Sequence, residues 1–262
     1  MNNDINQDIA KELVAQTAGK TYDDLAHPTA HATGQIVSFI PRTVKVWLGK
    51  WEKWILNGEY AIKETEALLA EKLKHIPEEK IVEPEPYVAV PAIQQLSYSL
   101  DSVDLRNLYA SLLTSSMNVD KKDAVHPAFV GIIRQLTPDE ARLLTVLPEE
   151  NWMLKPLVDF GFESEERPGI VPYRRNYTDI GDHVCVFPEN ICAYIENLDR
   201  LKIIRIIDDH LVEEKYYSHI FNSDIYLSTK KLLSQQNKTL VCLKKSFYVT
   251  DFGRLFINTC VK

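Results

Sequence analysis

Two clusters of cationic and aromatic residues are the parts of this sequence whose residue types suggest binding chemistry. In residues 36–56, four cations oppose one acid, so the segment carries a net charge of +3. Its candidate contact residues are Arg42, Lys45, Trp47, Lys50, Trp51 and Trp54. Tryptophan among cations is favoured at a membrane–water interface. The segment is too short and too charged to span a bilayer. It therefore predicts either a peripheral membrane or partner surface, or a helix that packs on the core and extends its lysines into solvent.

The second cluster lies in residues 227–262, which carry a net charge of +6. The candidate nucleic-acid contacts are Lys230, Lys231, Lys244, Lys245 and Arg254. The pattern predicts a helix at 189–200, a strand at 203–207, a hairpin at 239–250 that turns near 244–246, and a closing helix capped by Thr250. This order is similar to winged-helix domains, in which a helix enters the major groove and a wing contacts phosphates. Because three acids oppose Arg200 in the 189–200 segment, a protein-contact role is the alternative.

Side chains that bind metals or act as nucleophiles are present, but their spacing matches no known pattern. His27 and His31 are four residues apart with a proline between them, and His183, Cys185 and Cys192 lack the spacing of a zinc site. The nine glycines form no P-loop or GxGxxG motif, and no GxSxG motif occurs. We therefore predict no catalytic residue, no metal site and no cofactor.

Composition indicates an ordinary globular protein. The net charge of −7 argues against a positive field over the whole molecule, so any nucleic-acid contact must be local. Four cysteines without a CxxC pair are typical of a reducing compartment. The polar N-terminus lacks the basic start and apolar run of a signal peptide, and no stretch is long and apolar enough to span a membrane. These features predict a cytoplasmic protein without a transmembrane segment.

The elements that position these clusters are mostly helices. Apolar residues at steps of three and four predict helices at 36–56, 59–76, 89–99, 102–117, 127–136 and 138–147. We expect Asp101 to cap the helix at 102–117, and Thr137 to Glu140 to form a capping box. Residues 149–188 predict loops with one or two short strands, and 212–234 a partly helical segment. The fold class is mainly α, with an N-terminal helical region and a C-terminal winged-helix-like region that contains a small antiparallel sheet.

Prolines and glutamates at 77–91 predict an extended, stiff linker. The predicted organisation is a helical hairpin region at 1–76, this Pro/Glu-rich linker at 77–91, and a helical domain at 92–262 whose C-terminal part is winged-helix-like.

The N-terminal half resembles the abortive infection alpha family of bacteria. The similarity covers residues 10–147 and includes the run QTAGKTYDDLAHPTAHATG, the run SLDSVDLRNLYASLLTSSMN and the run HPAFVGIIRQLTPDEARLLTVL. The stretch from Pro84 to Pro86 is its most distinctive local match, and GRLF at 253–256 is compatible with it.

This resemblance implies a role in bacterial defence against phage, in which an infected cell stops growing or dies before phage mature. It carries no catalytic signature onto individual positions. We therefore predict a non-enzymatic defence protein that acts through contacts with a protein partner or as a homo-oligomer. The alternatives are a winged-helix nucleic-acid-binding regulator and a membrane-surface-active effector.

Overall fold

Helices form the N-terminal part of this structure, a computed structural model that describes residues 41–51, 58–99, 101–147, 153–165, 167–209 and 212–262. They are α1 Arg42–Trp51, α2 Gly58–Leu73, α3 Pro86–Tyr98, α4 Val103–Ser116, α5 Ala128–Ile133 and α6 Pro138–Leu144. Short 3₁₀ turns at Glu78–Lys80 and Lys122–Ala124 lie between them. Helices α1 and α2 are present where helices were predicted, but the hairpin region at 1–76 stays a prediction, since residues 1–40 and the connection at 52–57 lie outside the described residues.

Helices α2, α3 and α4 pack on one another and form the helical part of the core. Each presents apolar side chains at steps of three or four residues, the spacing that places them on one face. The fully buried members include Leu69, Ala89, Ile93, Leu96, Leu112 and Leu113. Helix α1 joins this core through Val44 and Leu48, which are also fully buried.

The Pro/Glu-rich stretch at 77–91 is only partly extended. The expectation of extended chain is wrong at the 3₁₀ turn Glu78–Lys80 and again from Pro86 onward, where helix α3 begins and continues through Pro91. At Pro86 the missing N–H has no cost, because the N–H groups of the first helical turn have no partner within the helix. The fixed φ of proline also suits a helix start. The extended part lies against the end of α4, where the Val82 N–H donates to the Met117 carbonyl at 2.8 Å. The domain boundary assigned to this stretch stays a prediction.

Side chains cap the N-termini of α4 and α6. The capping box at α6 is confirmed: the Thr137 hydroxyl accepts from the Glu140 N–H at 3.2 Å, and the Glu140 carboxylate accepts from the Thr137 N–H at 2.6 Å. The cap of α4 is Ser102, whose hydroxyl accepts from the Leu105 N–H at 3.3 Å, so the expectation of Asp101 is wrong by one residue. A cap must be the last extended residue before the helix, and that residue is Ser102.

Four antiparallel strands form the sheet in the described chain: β1 Lys155–Ser164, β2 Arg167–Tyr177, β3 Ile204–Ile207 and β4 Lys238–Val249. Their order is β2-β1-β4-β3. The remaining helices are α7 Ile191–Arg200, α8 Ser218–Phe221, α9 Asp224–Gln235 and α10 Asp251–Cys260, with 3₁₀ turns at Pro188–Asn190 and Glu214–Tyr217. A mainly helical chain with a small antiparallel sheet is therefore confirmed. Strands are present within 149–188, but they are longer than expected.

The hairpin predicted for 239–250 is wrong. One strand of 12 residues, β4, runs through this segment and pairs with β1 on one side and β3 on the other. The polar residues 244–246 suggest a turn by composition, but two neighbouring strands bond to the backbone there and make a continuous strand more favourable. Strands β3 and β4 are connected through α8 and α9 instead of a short wing. The order of α7 followed by β3 agrees with the prediction.

Helix α10 joins the sheet to the helices. The predicted cap is confirmed, since the Thr250 hydroxyl accepts from the Gly253 N–H at 2.8 Å. A side chain at Gly253 would place its Cβ 1.9 Å from the Ile203 carbonyl oxygen, so only glycine allows this approach. At the other end of α10, the Ser115 hydroxyl of α4 donates to the Thr259 carbonyl at 2.9 Å. Sheet and helices consequently share one apolar core.

Candidate functional site

The cationic and aromatic residues of α1 do not form one exposed face. Val44 and Leu48 are fully buried, and Trp47 packs against the same core. Lys50 points outward, where its Nζ lies 3.0 Å from the Glu83 carboxylate. This is the arrangement of a helix that packs on a core and extends its cations into solvent.

The other members of this candidate surface are distributed differently. Arg42 is exposed and Lys45 is half-buried. Trp51 is the last residue of α1, and Trp54 lies outside the described residues. Within the described ranges, no helix is both long and apolar enough to cross a bilayer. Membrane or partner binding by α1 stays a prediction.

The five wing candidates are distributed over three elements: Lys230 and Lys231 lie on α9, Lys244 and Lys245 on β4, and Arg254 on α10. Lys230 and Lys231 are exposed. Lys244 pairs with the Glu214 carboxylate, and Arg254 pairs with the Asp251 carboxylate. Two of the five cations therefore already have an anionic partner on the surface, where such a pair contributes little energy.

Lys245 is a buried cation of the sheet, with only 5% of the residue exposed. Its Nζ donates to the Asn176 side-chain oxygen at 2.8 Å and lies 3.2 Å from Asp208 and 3.5 Å from Asp159. A buried ammonium group needs such partners because removing it from water is costly. Lys245 therefore pairs with the largely buried Asp159 and the exposed Asp208, and the structure does not assemble the five cations into one phosphate-binding surface.

The candidate ligands His183, Cys185 and Cys192 lie near the N-terminus of α7. Burial raises the pKa of both thiols to about 11, so both stay protonated at neutral pH, and the thiolate is the form that binds metals. Over the residues that the structure describes, no group of three or more His, Cys, Asp or Glu side chains is arranged to hold a metal ion. His27 and His31 lie outside those residues.

Asp139, in the first turn of α6, is a buried carboxylate that accepts hydrogen bonds from separate parts of the chain. The backbone N–H groups of Val186 and Phe187 both donate to it at 2.8 Å. The Tyr194 hydroxyl of α7 donates at 3.1 Å, and the Arg142 guanidinium donates at 2.7 Å. Hydrogen bonds to a charged group are among the stronger ones in proteins. Asp139 therefore fixes the chain before α7 onto α6.

The ionisation of Asp139 follows from these contacts. Burial raises the pKa of its carboxyl, but the hydrogen bonds from Val186, Phe187, Tyr194 and Arg142 together outweigh burial and hold the pKa below its usual value. Arg142 also lies 2.7 Å from Asp104 and so connects the arrangement to α4. Asp139 is consequently a charged anchor at neutral pH.

The segment that Asp139 anchors is the 178–190 loop, which is defined here as the residues between β2 and α7. Its own hydrogen bonds include one from the Cys185 N–H to the Gly181 carbonyl at 2.9 Å. At Gly181, a Cβ would lie 2.9 Å from the Ile191 side chain, so the loop packs closely on α7. Val186 and Phe187 nevertheless remain 60% and 55% exposed. The loop thus holds two apolar side chains in solvent on a fixed backbone.

A cavity of about 540 Å³ adjoins the same loop. Its walls are largely apolar and include Met153, Leu154, Pro156, Ile180, Tyr216 and His183. Clefts of this size and character are common in binding sites. The loop therefore lines this depression with residues 178–180 and 183, and it exposes two apolar side chains further along, at 186 and 187.

The sequence contains little signal for this surface. The stretch from Thr137 to Glu140 predicts only a helix cap, and Asp139 is unremarkable within it. Its loop and α7 donors lie 47 to 55 residues further along the chain. Exposed apolar residues before a helix, VFPEN at 186–190, are the one local feature that marks the loop.

The comparisons with known proteins bear on the whole chain. A family model for abortive infection alpha matches residues 57–260, a span that includes Asp139, the 178–190 loop, the sheet and α10. Among solved structures, an uncharacterized protein from the hydrocarbon-degrading marine bacterium Alcanivorax borkumensis SK2 is 17% identical over 52% of this chain and 96% of its own, with a TM-score of 0.32. No curated protein matches the chain significantly. The family match overlaps the resemblance from residue 57 to 147 and continues well beyond it, and the family name suggests a role in abortive infection. This protein belongs to the abortive infection alpha family.

Proposed function

We propose that this protein defends its cell against phage by abortive infection, and that it acts by binding a protein partner through the 178–190 loop, without catalysing a reaction. Membership of the family supports the biological role. The observation that supports the mechanism is the buried Asp139, which accepts the backbone N–H groups of Val186 and Phe187 at 2.8 Å while their side chains remain exposed.

A rigid loop is well suited to recognition. Association has an entropic cost for every segment that must become ordered, and a loop that is already fixed avoids most of that cost. Phenylalanine is enriched among interface residues because its large apolar area is desolvated on binding. Phe187 is therefore the residue on which we expect partner binding to depend most.

The cavity beside the loop fits the same proposal. Its apolar lining can receive one side chain of a partner, and its lining also includes polar groups, among them His183 and His219. An apolar centre with a polar rim is the usual anatomy of a protein interface. The partner surface that these features fit is an apolar protein segment flanked by acidic or neutral polar residues.

Phage challenge tests the role and the surface together. Cells with and without the gene are infected with a phage panel at low and high dose, and plaque number and cell survival are recorded. We expect fewer plaques, with death of cells at high dose. Phe187→Ala should restore plaques to the level of cells without the gene while the protein accumulates and unfolds like the wild type, since an exposed side chain contributes little to stability.

The matched control is Tyr173→Ala, which removes another exposed aromatic side chain, from β2 and outside the loop. This variant should protect as the wild type does. Full protection by Phe187→Ala would show that the loop is not the contact surface. Unchanged plaque counts for the wild type across the panel would contradict the defence role itself.

A further inference from the structure

A second cavity, of about 460 Å³, lies between α2 and α4 and includes no residue of the 178–190 loop. Polar side chains line much of it. Those on which the argument depends are Lys72, His75, Ser111, Thr114, Ser115 and Lys121. Ser111, Thr114 and Ser115 are three and four residues apart, so they share one face of α4. Lys72 and His75 face them from α2 and the turn that follows it.

The hydroxyl of Ser111 is the unusual group in this cavity. Ser111 is only 6% exposed, and within the described chain its side chain makes no hydrogen bond. Its two neighbours differ, because Thr114 donates to the Ala110 carbonyl at 2.8 Å and Ser115 to the Thr259 carbonyl at 2.9 Å. The Ser111 hydroxyl is not among the fully buried atoms that lack a partner, so it is accessible from the cavity. Ser111 therefore has a proton to donate to a ligand in the cavity.

The charges around the cavity are mostly positive. Lys72, Lys121 and Lys262 line it, with His75 beside them, and Glu71 is the single carboxylate side chain among its lining residues. Glu71 already pairs with Lys74. Lys262 makes its own interaction within the protein, so we do not count it as a ligand contact. Lys72 is half-buried, and this burial lowers the pKa of its ammonium group, a penalty that a nearby anion would relieve.

We propose that this cavity binds a phosphate-bearing small molecule, with the Ser111 hydroxyl, Lys72 and Lys121 as the phosphate contacts. A phosphate group accepts hydrogen bonds from several directions at once, which suits a cavity lined by two lysines and a hydroxyl from different parts of the chain. A cavity of about 460 Å³ exceeds the volume of a phosphate group alone, so it has room for the organic part of a small ligand.

This site is independent of the proposed partner surface, since it shares no residue with the loop or with the Asp139 contacts. The test is direct binding to the full chain. Inorganic phosphate and the four common nucleoside monophosphates are titrated separately by isothermal calorimetry at constant ionic strength. Thermal unfolding with each ligand gives a second readout, because a ligand that binds only the folded state raises the melting temperature.

Two variants locate the site. Lys72→Met keeps the aliphatic stem and removes the charge, and Ser111→Ala removes the unpaired hydroxyl. Each should weaken binding by about tenfold or more, since each removes a hydrogen bond to a charged group. The controls are Lys231→Met, an exposed lysine on α9, and Ser116→Ala, a buried serine of α4 whose hydroxyl donates to the Leu113 carbonyl at 2.7 Å. Both controls should bind as the wild type does.

The titrations distinguish the class of ligand and can also overturn the proposal. Tighter binding of one monophosphate than of inorganic phosphate identifies a nucleoside phosphate as the ligand class, and equal binding identifies the phosphate group alone as the determinant. Either result supports the site if Lys72→Met and Ser111→Ala weaken binding. No binding of any of these ligands at millimolar concentration overturns the proposal. Binding that neither variant weakens also overturns it.

Discussion

At the scale of single residues, buried charges determine how segments that are distant in sequence are held together. Asp139 is only 4% exposed, yet it stays ionised because its oxygens accept hydrogen bonds from two backbone amides, a tyrosine and an arginine. A charge in this position is costly unless it is fully bonded. Its partners are thereby fixed in place, and these partners include the backbone that presents Phe187.

Asp139→Asn should destabilise the protein although it changes hardly any volume. One carboxylate oxygen becomes an NH₂ group, which cannot accept from the Val186 or Phe187 amide and leaves it unsatisfied. We expect a loss of about 3 kcal/mol in the free energy of unfolding, measured by urea denaturation. The control is Asp120→Asn, an exposed partner of Lys80, which should change stability little. Equal losses of stability in the two variants would show that the buried hydrogen bonds of Asp139 stabilise the protein no more than an exposed ion pair does.

The lowered pKa of Asp139 predicts how the stability difference between the wild type and Asp139→Asn depends on pH. A carboxyl whose pKa is lower in the folded state stabilises fully above its unfolded pKa of about 3.9, and the stabilisation disappears as pH falls through the folded pKa. The difference in unfolding free energy between wild type and Asp139→Asn should therefore be largest near about pH 7 and shrink below about pH 4. A constant difference over this range would contradict an ionised Asp139.

At the scale of elements, the placement of α10 depends on a contact between two backbones. Gly253 lies in its first turn, and the Thr250 N–H before it donates to the Ile203 carbonyl at 3.0 Å. This contact holds the start of α10 against the chain that enters β3. The far end of the helix reaches α4 through Ser115. One helix thereby orients the sheet relative to the helical part of the core.

Gly253→Ala tests this arrangement. The new Cβ would lie 1.9 Å from the Ile203 carbonyl oxygen and 2.7 Å from the carbonyl carbon, and neither backbone atom can move without displacing β3 or α10. We expect a loss of about 3 kcal/mol or more, detected as a fall in melting temperature. Gly131→Ala in α5 is the control, because no atom lies within 4 Å of its Cβ position. That variant should be neutral or stabilise by up to about 1 kcal/mol through helix propensity.

At the scale of the whole molecule, the distribution of cations matters more than their number. The C-terminal segment has a net charge of +6, but Lys244 and Arg254 pair with nearby acids and Lys245 is buried. Of the five wing candidates, Lys230 and Lys231 are the exposed ones. The structure therefore directs much of this positive charge to contacts within the protein.

Lys245→Met tests whether this lysine stabilises the fold through its buried contacts or serves only as a candidate nucleic-acid contact. If Lys245 pairs with the largely buried Asp159, its loss leaves Asp159 with the exposed Arg175 as its remaining charged partner, and the free energy of unfolding should fall by about 2 kcal/mol. Lys231→Met, an exposed lysine from the same cluster, should have almost no effect. Urea denaturation of both variants decides the question. Wild-type stability of Lys245→Met would show that its buried contacts contribute nothing.

The features that could be predicted from the amino-acid sequence are those that depend on neighbours along the chain. Helix periodicity, the capping box at Thr137, the Thr250 cap and the alternation of helices with a small sheet follow from interactions over a few residues. The family resemblance also came from contiguous runs. The helix predicted from residue 89 begins at Pro86, because proline is compatible both with extended chain and with the first turn of a helix.

Features that depend on residues distant in sequence could be read only from the folded chain. Residues 244–246 belong to a strand because β1 and β3 bond to both sides of it, and Lys245 is buried because Asp159, Asn176 and Asp208 meet it there. The 178–190 loop contacts Asp139 only in the folded chain. Lys72 and Ser111 likewise line one cavity only when the helices pack. The free energy of a buried charge or an unpaired hydroxyl depends on its surroundings, and those surroundings exist only in the folded chain.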